Sequence, residues 1–168
     1  MTSSERQKLI EARLREAEAP VSAATLAAQL HVSRQIIVGD VALLRAAGAE
    51  IQATPRGYVL SQRPSGVTGV LACVHSREDM VDELNLMVDN GCQVLDVIVE
   101  HPVYGQLTGQ LQLRSRHDVG EFWKKAAAAE PLSALTGGIH LHTVRCPDEE
   151  TLTRTAAALR SAGFLLEE

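Results

Sequence analysis

At 168 residues, 45% hydrophobic and 22% charged, the chain has room for one ordinary domain or two small ones and excludes disordered and fibrous classes. Aromatics are only 3%, so a core must come from Ala, Val, Leu and Ile. The net charge of −5 is uneven: eight Lys/Arg stand against six Asp/Glu through Pro64, and eight against fifteen after it. That asymmetry fits a mildly basic nucleic-acid module joined to an acidic domain. No apolar run approaches the roughly 18 residues that cross a bilayer. The start MTSSERQKLIEARLRE has no apolar stretch behind a basic end, which points to a cytoplasmic, reduced protein without a membrane partner. Cys73, Cys92 and Cys146 are odd in number and far apart, with no CxxC. They argue against a disulfide framework or a thiolate zinc site and read as small core residues.

Thr2-Ser3-Ser4-Glu5 offers a capping box for a first helix, with Leu9, Ile10, Leu14 and Ala17 as its apolar stripe. Ser22 caps a second helix through Ala23, Leu26, Ala27 and Leu30. After the turn His31-Val32-Ser33, a third helix runs from about Arg34 to Ala47, with Ile37, Val41 and Leu44 on its buried face. Ser33, Arg34 and Gln35 stand at its exposed start, where a hydroxyl and a guanidinium suit phosphate or guanine and an amide suits adenine. Gly39 lies within this helix. Residues 51–60 form two short extended runs around Pro55-Arg56-Gly57, a hairpin with Arg56 at its tip. Two helices, a recognition helix and a wing spell a winged helix-turn-helix over residues 1–61.

Residues 62–66 read as a linker and 67–168 as a second domain of order β-α-β-β-α-β-α. Strands are expected at Val67–His75, Val94–Glu100, about Gln106–Leu113 and Ile139–Arg145. Helices are expected from Ser76 to Asn90, from about Arg116 to Ala129, and from Asp148 to Gly163. In the third strand Leu107, Leu111 and Leu113 alternate strictly with Gln106, Thr108, Gln110 and Gln112. The overall class is α+β: a winged helix-turn-helix, then a ferredoxin-like split βαβ unit with an extra carboxyl-terminal helix.

His140-Leu141-His142 is the sharpest chemical signal. Residues i and i+2 of a strand share a face, so both imidazoles can bind one cation. If the last strand lies antiparallel beside the first, His75 joins them. Glu83 sits on the following helix among Met80, Leu84 and Met87, and a carboxylate drawn toward a core requires compensation. The set His75, Glu83, His140 and His142 suits zinc, nickel, iron or manganese. His101, in the turn with Tyr104 at the same sheet end, is expected to support the metal or touch a ligand.

Several long stretches carry a resemblance. They are LAAQLHVSRQIIVGDVALLR and ATPRGYVL in the first module, then His75–Leu84, DVIVEHPVYGQLTG, the EPL before Ser133, GGIHLHT, CPDEET and GFLLEE. Over nearly its full length the chain resembles the niacin-responsive transcriptional repressors, in which a winged helix-turn-helix precedes a three-histidine domain. The resemblance implies a dimeric repressor at operator DNA near genes of NAD synthesis or niacin uptake, with nicotinic acid as co-repressor. It places the metal ligands on His75, Glu83, His140 and His142, with one divalent transition metal per chain, nickel or zinc favoured. The effector carboxylate is expected at open metal positions near His101 and Tyr104. Gly39 departs from the polar residue expected in the recognition helix. A rival reading is a metal-dependent hydrolase with an accessory DNA-binding module. The acidic domain shows no nucleophile elbow or phosphate-cradling glycine loop, which favours a regulator over an enzyme.

Overall fold

The computed structural model describes residues 1–61 and 66–167, so the expected linker, apart from Gly66, lies outside the described residues. The chain divides into two compact units, 1–64 and 65–168. Among the described residues no helix is long and apolar enough to cross a membrane.

In the first unit α1 spans Ser3–Glu16, α2 Ala23–Leu30 and α3 Arg34–Ala46. The capping box closes as its residues dictate: the Glu5 amide donates to Thr2 Oγ1 and the Thr2 amide to the Glu5 carboxylate. Ser22 and Ser33 cap α2 and α3 by accepting from the amides of Thr25 and Ile36. Ile10, Leu14, Leu26, Leu30, Ile37, Val41 and Leu44 form the core. Leu9, expected in the apolar stripe, is exposed, and Ala17 is the cap residue beyond the helix. The wing is β1, Ile51–Thr54, against β2, Gly57–Leu60. Val21 adds a third strand position by exchanging backbone hydrogen bonds with Tyr58, which ties the wing to the start of α2.

One buried charge in this unit escaped the pattern of apolar residues. Asp40 points inward from α3 and is 3% exposed. It accepts from Arg6 Nε, from Arg6 Nη2 at 3.1 Å, from Ser3 Oγ at 3.1 Å and from Gln7 Nε2 at 3.2 Å. Burial alone would push its carboxyl up, but these donors from α1 outweigh burial and hold it below the usual range.

The second unit runs β3 (Val67–Val74), a 3-10 turn (Arg77–Asp79), α4 (Met80–Asp89), β4 (Gln93–His101) and β5 (Gly105–Leu113). It continues with α5 (Arg116–Ala126), a second 3-10 turn (Leu132–Thr136), β6 (Ile139–Cys146) and α6 (Glu149–Ser161). Several local expectations are corrected. The Ser76 hydroxyl donates to Glu78 and Asp79 rather than capping a helix, so a 3-10 turn precedes α4. α5 ends at Ala126, and the segment before β6 winds into another turn. The alternation of β5 breaks at Gln112, whose φ of 55° belongs to a bulge that buries Leu111, Gln112 and Leu113 together.

The α+β class stands, but the sheet order is β3-β6-β4-β5, all neighbours antiparallel. The last strand does lie beside the first. A ferredoxin-like sheet, however, keeps its first strand inside; here β3 is at the edge, and β6 and β4 are central. The sequence of β5 explains part of this, because a strand alternating Gln and Thr toward solvent suits an edge better than an inner place. The other edge is covered: the Val74 amide donates to Phe164 O and the Leu166 amide to Ala72 O. Leu71, Leu84, Met87, Val94, Leu113, Val119, Val144 and Leu159 make the core between sheet and helices.

A second correction concerns the cysteines. Cys92 and Cys146 form a disulfide with Cα atoms 4.5 Å apart. Wide spacing in sequence argued against it, yet the fold brings the residue before β4 to the end of β6, a neighbouring strand. Cys73 alone is a free buried thiol.

Four substitutions test these packing assignments. Gly39 adopts no positive φ, and an added Cβ meets nothing within 4 Å, so Gly39→Ala is expected to stabilise the first unit by about 1 kcal/mol in denaturant titration. Gly137 and Gly138 have φ of 63° and 94°, but a Cβ on Gly138 alone would strike His75 O, at 2.4 Å. Gly137→Ala is then expected to cost about 1 kcal/mol of left-handed strain, and Gly138→Ala distinctly more. Asp40→Asn should lower the melting temperature at neutral pH. Because the Asp40 pKa is depressed on folding, the wild-type advantage is full above the unfolded value of about 4 and fades as pH falls through the lower folded value. A pH-independent difference would contradict that assignment.

Candidate metal centre and nucleic-acid face

Strand parity and register build the metal centre. In β6, His140, His142, Val144 and Cys146 share the buried face. Across the ladder His140 pairs with Cys73 and His142 with Leu71, so His75, two residues beyond Cys73, arrives at the same end. Glu83 lies on the inward face of α4, 0% exposed.

Each of the three rings is oriented by a backbone carbonyl. Nδ1 of His75 lies 2.6 Å from Ser76 O, that of His140 2.7 Å from Gly138 O, and that of His142 2.6 Å from Asp96 O. A carbonyl only accepts, so every Nδ1 carries its proton and donates. In a neutral ring the lone pair is then left on Nε2, and all three Nε2 atoms face the Glu83 carboxylate. His140 Nε2 is 3.1 Å from Oε2, His142 Nε2 is 2.5 Å from Oε1, and His75 Nε2 lies against Oε2. The His75–His140 and His140–His142 ring centroids are each 4.8 Å apart and nearly perpendicular.

Lone pairs aimed at a buried carboxylate repel unless positive charge lies among them. Burial would push the Glu83 carboxyl up, but His142 and His140 hold it down to about 2. Burial would likewise lower His142, yet the Glu83 charge beside it raises it above the ordinary imidazole value. Protons therefore satisfy part of the demand. They do not satisfy all of it: buried His75 Nε2 touches Glu83 Oε2 without making a hydrogen bond among the described residues. Three Nε2 atoms and a carboxylate are a donor set that fits a divalent transition metal.

Two supports of this geometry were invisible to spacing. β4 carries an extra residue against β6 between Val94 and Ile98. That irregularity frees Asp96, whose carbonyl takes the His142 ring and whose Oδ1 accepts the Thr143 amide at 2.9 Å. Gly138 is pressed against the His75 backbone and also supplies the carbonyl that orients His140. Cys73, expected as a small core residue, also borders this cluster. Cys73 Sγ, a Glu83 oxygen and a His140 nitrogen lie within 4.8 Å of one another. Burial, then the Glu83 charge, pushes that thiol well up. Its place two residues before His75 and opposite His140 was the available signal.

His101 and Tyr104 lie at the same sheet end but outside the histidine cluster. His101 Nδ1 accepts from the amides of Val103 at 3.1 Å and Tyr104 at 3.2 Å. Its proton is thereby placed on Nε2, the opposite tautomer to the three buried rings. The Tyr104 ring is 5.0 Å from that of His101 and 75% exposed.

In the first unit Arg34 and Gln35 are exposed at the start of α3, with Ser33 as the cap. Arg56 sits in the turn between β1 and β2, where Thr54 Oγ1 accepts its amide. A helix start and a hairpin tip, each carrying an arginine, are the contact elements of a winged helix-turn-helix.

Comparison with known proteins agrees with both units. Residues 6–59 match an HTH domain and residues 68–168 a 3H domain. The chain is 48% identical over 166 residues to the probable transcription repressor NiaR of Thermotoga maritima, covering 98% of this chain and 95% of that protein. It is 42% identical over 161 residues to the transcription repressor NadR of Bacillus subtilis strain 168, covering 92% and 89%. With a DNA-binding HTH unit followed by a 3H domain along its whole length, the chain belongs to the NiaR/NadR family of transcription repressors.

Proposed function

We propose that this repressor is a cytoplasmic homodimer that binds operator DNA at genes of NAD synthesis or niacin uptake, with nicotinic acid as co-repressor. Residues 1–61 bind DNA, 62–66 link, and 67–168 sense the effector. The observation that carries the reading is the convergence of three imidazole Nε2 atoms on one buried carboxylate in a chain whose other unit is a winged helix-turn-helix.

In this reading His75, Glu83, His140 and His142 hold one divalent transition metal per chain, nickel or zinc. When bound, the metal supplies a Lewis-acidic centre that attracts an anionic oxygen. The protein's part is orientation: three carbonyls fix the ring tautomers, and α4 delivers Glu83 from the opposite side. His101 Nε2–H is a fixed donor suited to the effector carboxylate, and the exposed Tyr104 ring offers an aromatic face to the pyridine. Glu83, His140 and His142 are all under 5% exposed. The protein acts as a regulator and not as an enzyme.

On DNA, Ser33 and Arg56 contact phosphates, and Arg34 and Gln35 read base edges. Nicotinic acid favours the arrangement of the two winged helices that operator DNA also favours, so each ligand must raise the affinity for the other.

Fluorescence anisotropy with labelled operator tests the coupling. Saturating nicotinic acid should tighten binding about 5- to 150-fold, and calorimetry should find effector affinity raised by the same factor on the DNA complex. His101→Phe should weaken effector binding while leaving effector-free DNA affinity unchanged. Arg34→Ala should cost about 1–3 kcal/mol of discrimination between operator and random duplex. An operator affinity indifferent to nicotinic acid would contradict the co-repressor assignment.

A further inference from the structure

We propose that Cys73 is an additional, thiolate ligand of the metal centre, which makes the site selective for thiophilic metals over magnesium and manganese. This rests on reading the histidine cluster as a metal site, and goes beyond the three histidines and Glu83.

Three observations converge. The first is placement. Cys73 occupies β3 directly opposite His140 and two residues before His75, so its side chain leaves the strand on the same face as the ligating rings. Its Sγ, a Glu83 oxygen and a His140 nitrogen lie within 4.8 Å of one another, close to the roughly 4.0–4.6 Å that two donors on opposite sides of one ion reach at bond lengths of about 2.0–2.3 Å, so a small side-chain adjustment brings them onto one ion. The second is incompleteness. His75 Nε2, on a side chain 3% exposed, lies against Glu83 Oε2 but makes no hydrogen bond among the described residues. Among the described residues Cys73 Sγ itself has only a 4.0 Å hydrogen-bond contact, with Leu71 O. Two poorly satisfied donor atoms border one carboxylate.

The third is charge. Neutral imidazoles with Glu83 alone would leave a divalent cation with one uncompensated positive charge whenever no anionic effector is bound, which is costly in a low-dielectric site. A thiolate brings the sum to zero. In forming that bond the S–H bond breaks, the sulfur lone pair goes to the metal, and the proton passes to water. No oxidant or reductant takes part. A thiolate beside imidazoles favours zinc and similar borderline or soft ions, whereas magnesium and manganese prefer all-oxygen sites.

The full-length protein, kept oxidised so that Cys92 and Cys146 stay paired, is titrated with cobalt(II) and followed by absorbance. One equivalent should produce an intense near-ultraviolet thiolate-to-cobalt charge-transfer band. Cys73→Ser should lose that band while still binding cobalt through the remaining ligands. X-ray absorption of the zinc-loaded wild type should show a sulfur neighbour at about 2.3 Å besides nitrogen and oxygen at about 2.0–2.2 Å. This readout stands even if the variant does not fold. Full loading of wild type with nitrogen and oxygen neighbours alone overturns the proposal and leaves the histidine–glutamate site intact. Failure of wild type to take up either metal overturns both.

Discussion

Three imidazoles turned by backbone carbonyls so that their free nitrogens meet at one buried carboxylate form the constraint on which the second unit is organised. Burying Glu83 by itself would be strongly unfavourable, and burying three polar rings without partners would add to that cost. Together they are tolerable, because each Nδ1–H is satisfied by main chain and the Nε2 face presents a concentrated demand for positive charge. On the proposed function, stability and sensing share one cluster. The residues that make the core costly to assemble are those that can respond to a ligand.

The rest of the fold serves this placement. Antiparallel pairing of β3 with β6 brings residues 65 positions apart in sequence, His75 and His140, to one end of the sheet. The extra residue in β4 opens the ladder at Asp96 and turns its carbonyl toward His142. Phe164 to Leu166 cover the outer edge of β3, and the Phe164 ring packs 5.6 Å from His75. The disulfide between Cys92 and Cys146 fastens β4 to β6 near the opposite end of the same strands. In the first unit a different polar cluster, Asp40 with Arg6, Ser3 and Gln7, locks the recognition helix to α1. A rigid recognition helix is a requirement for reading base edges in register.

Much of this was legible because it is local. Capping residues Thr2, Ser22 and Ser33 announce helix starts through chemistry contained within four residues. The shared face of His140 and His142 follows from strand parity, and the approach of His75 follows from pairing the first and last strands. What stayed hidden depends on register and on tertiary neighbours. Nothing near Asp40 in sequence reveals that Arg6 will meet it. The order β3-β6-β4-β5 rests on which strand tolerates an edge, a matter of relative burial rather than period. Cys73 looked like any small apolar residue until β6 was set opposite it, and Gly138 looked like a simple turn until His75 O was found against it.

The measurement that bears most directly on this account is elemental analysis of the full-length protein, purified without added chelator, beside His140→Ala prepared in the same way. If the imidazoles and Glu83 gather around one cation, the wild type contains close to one divalent transition metal per chain and the variant loses it while its circular dichroism remains that of a folded chain. Equal metal content in the two, or none in the wild type even after exposure to nickel and zinc, would contradict the central claim.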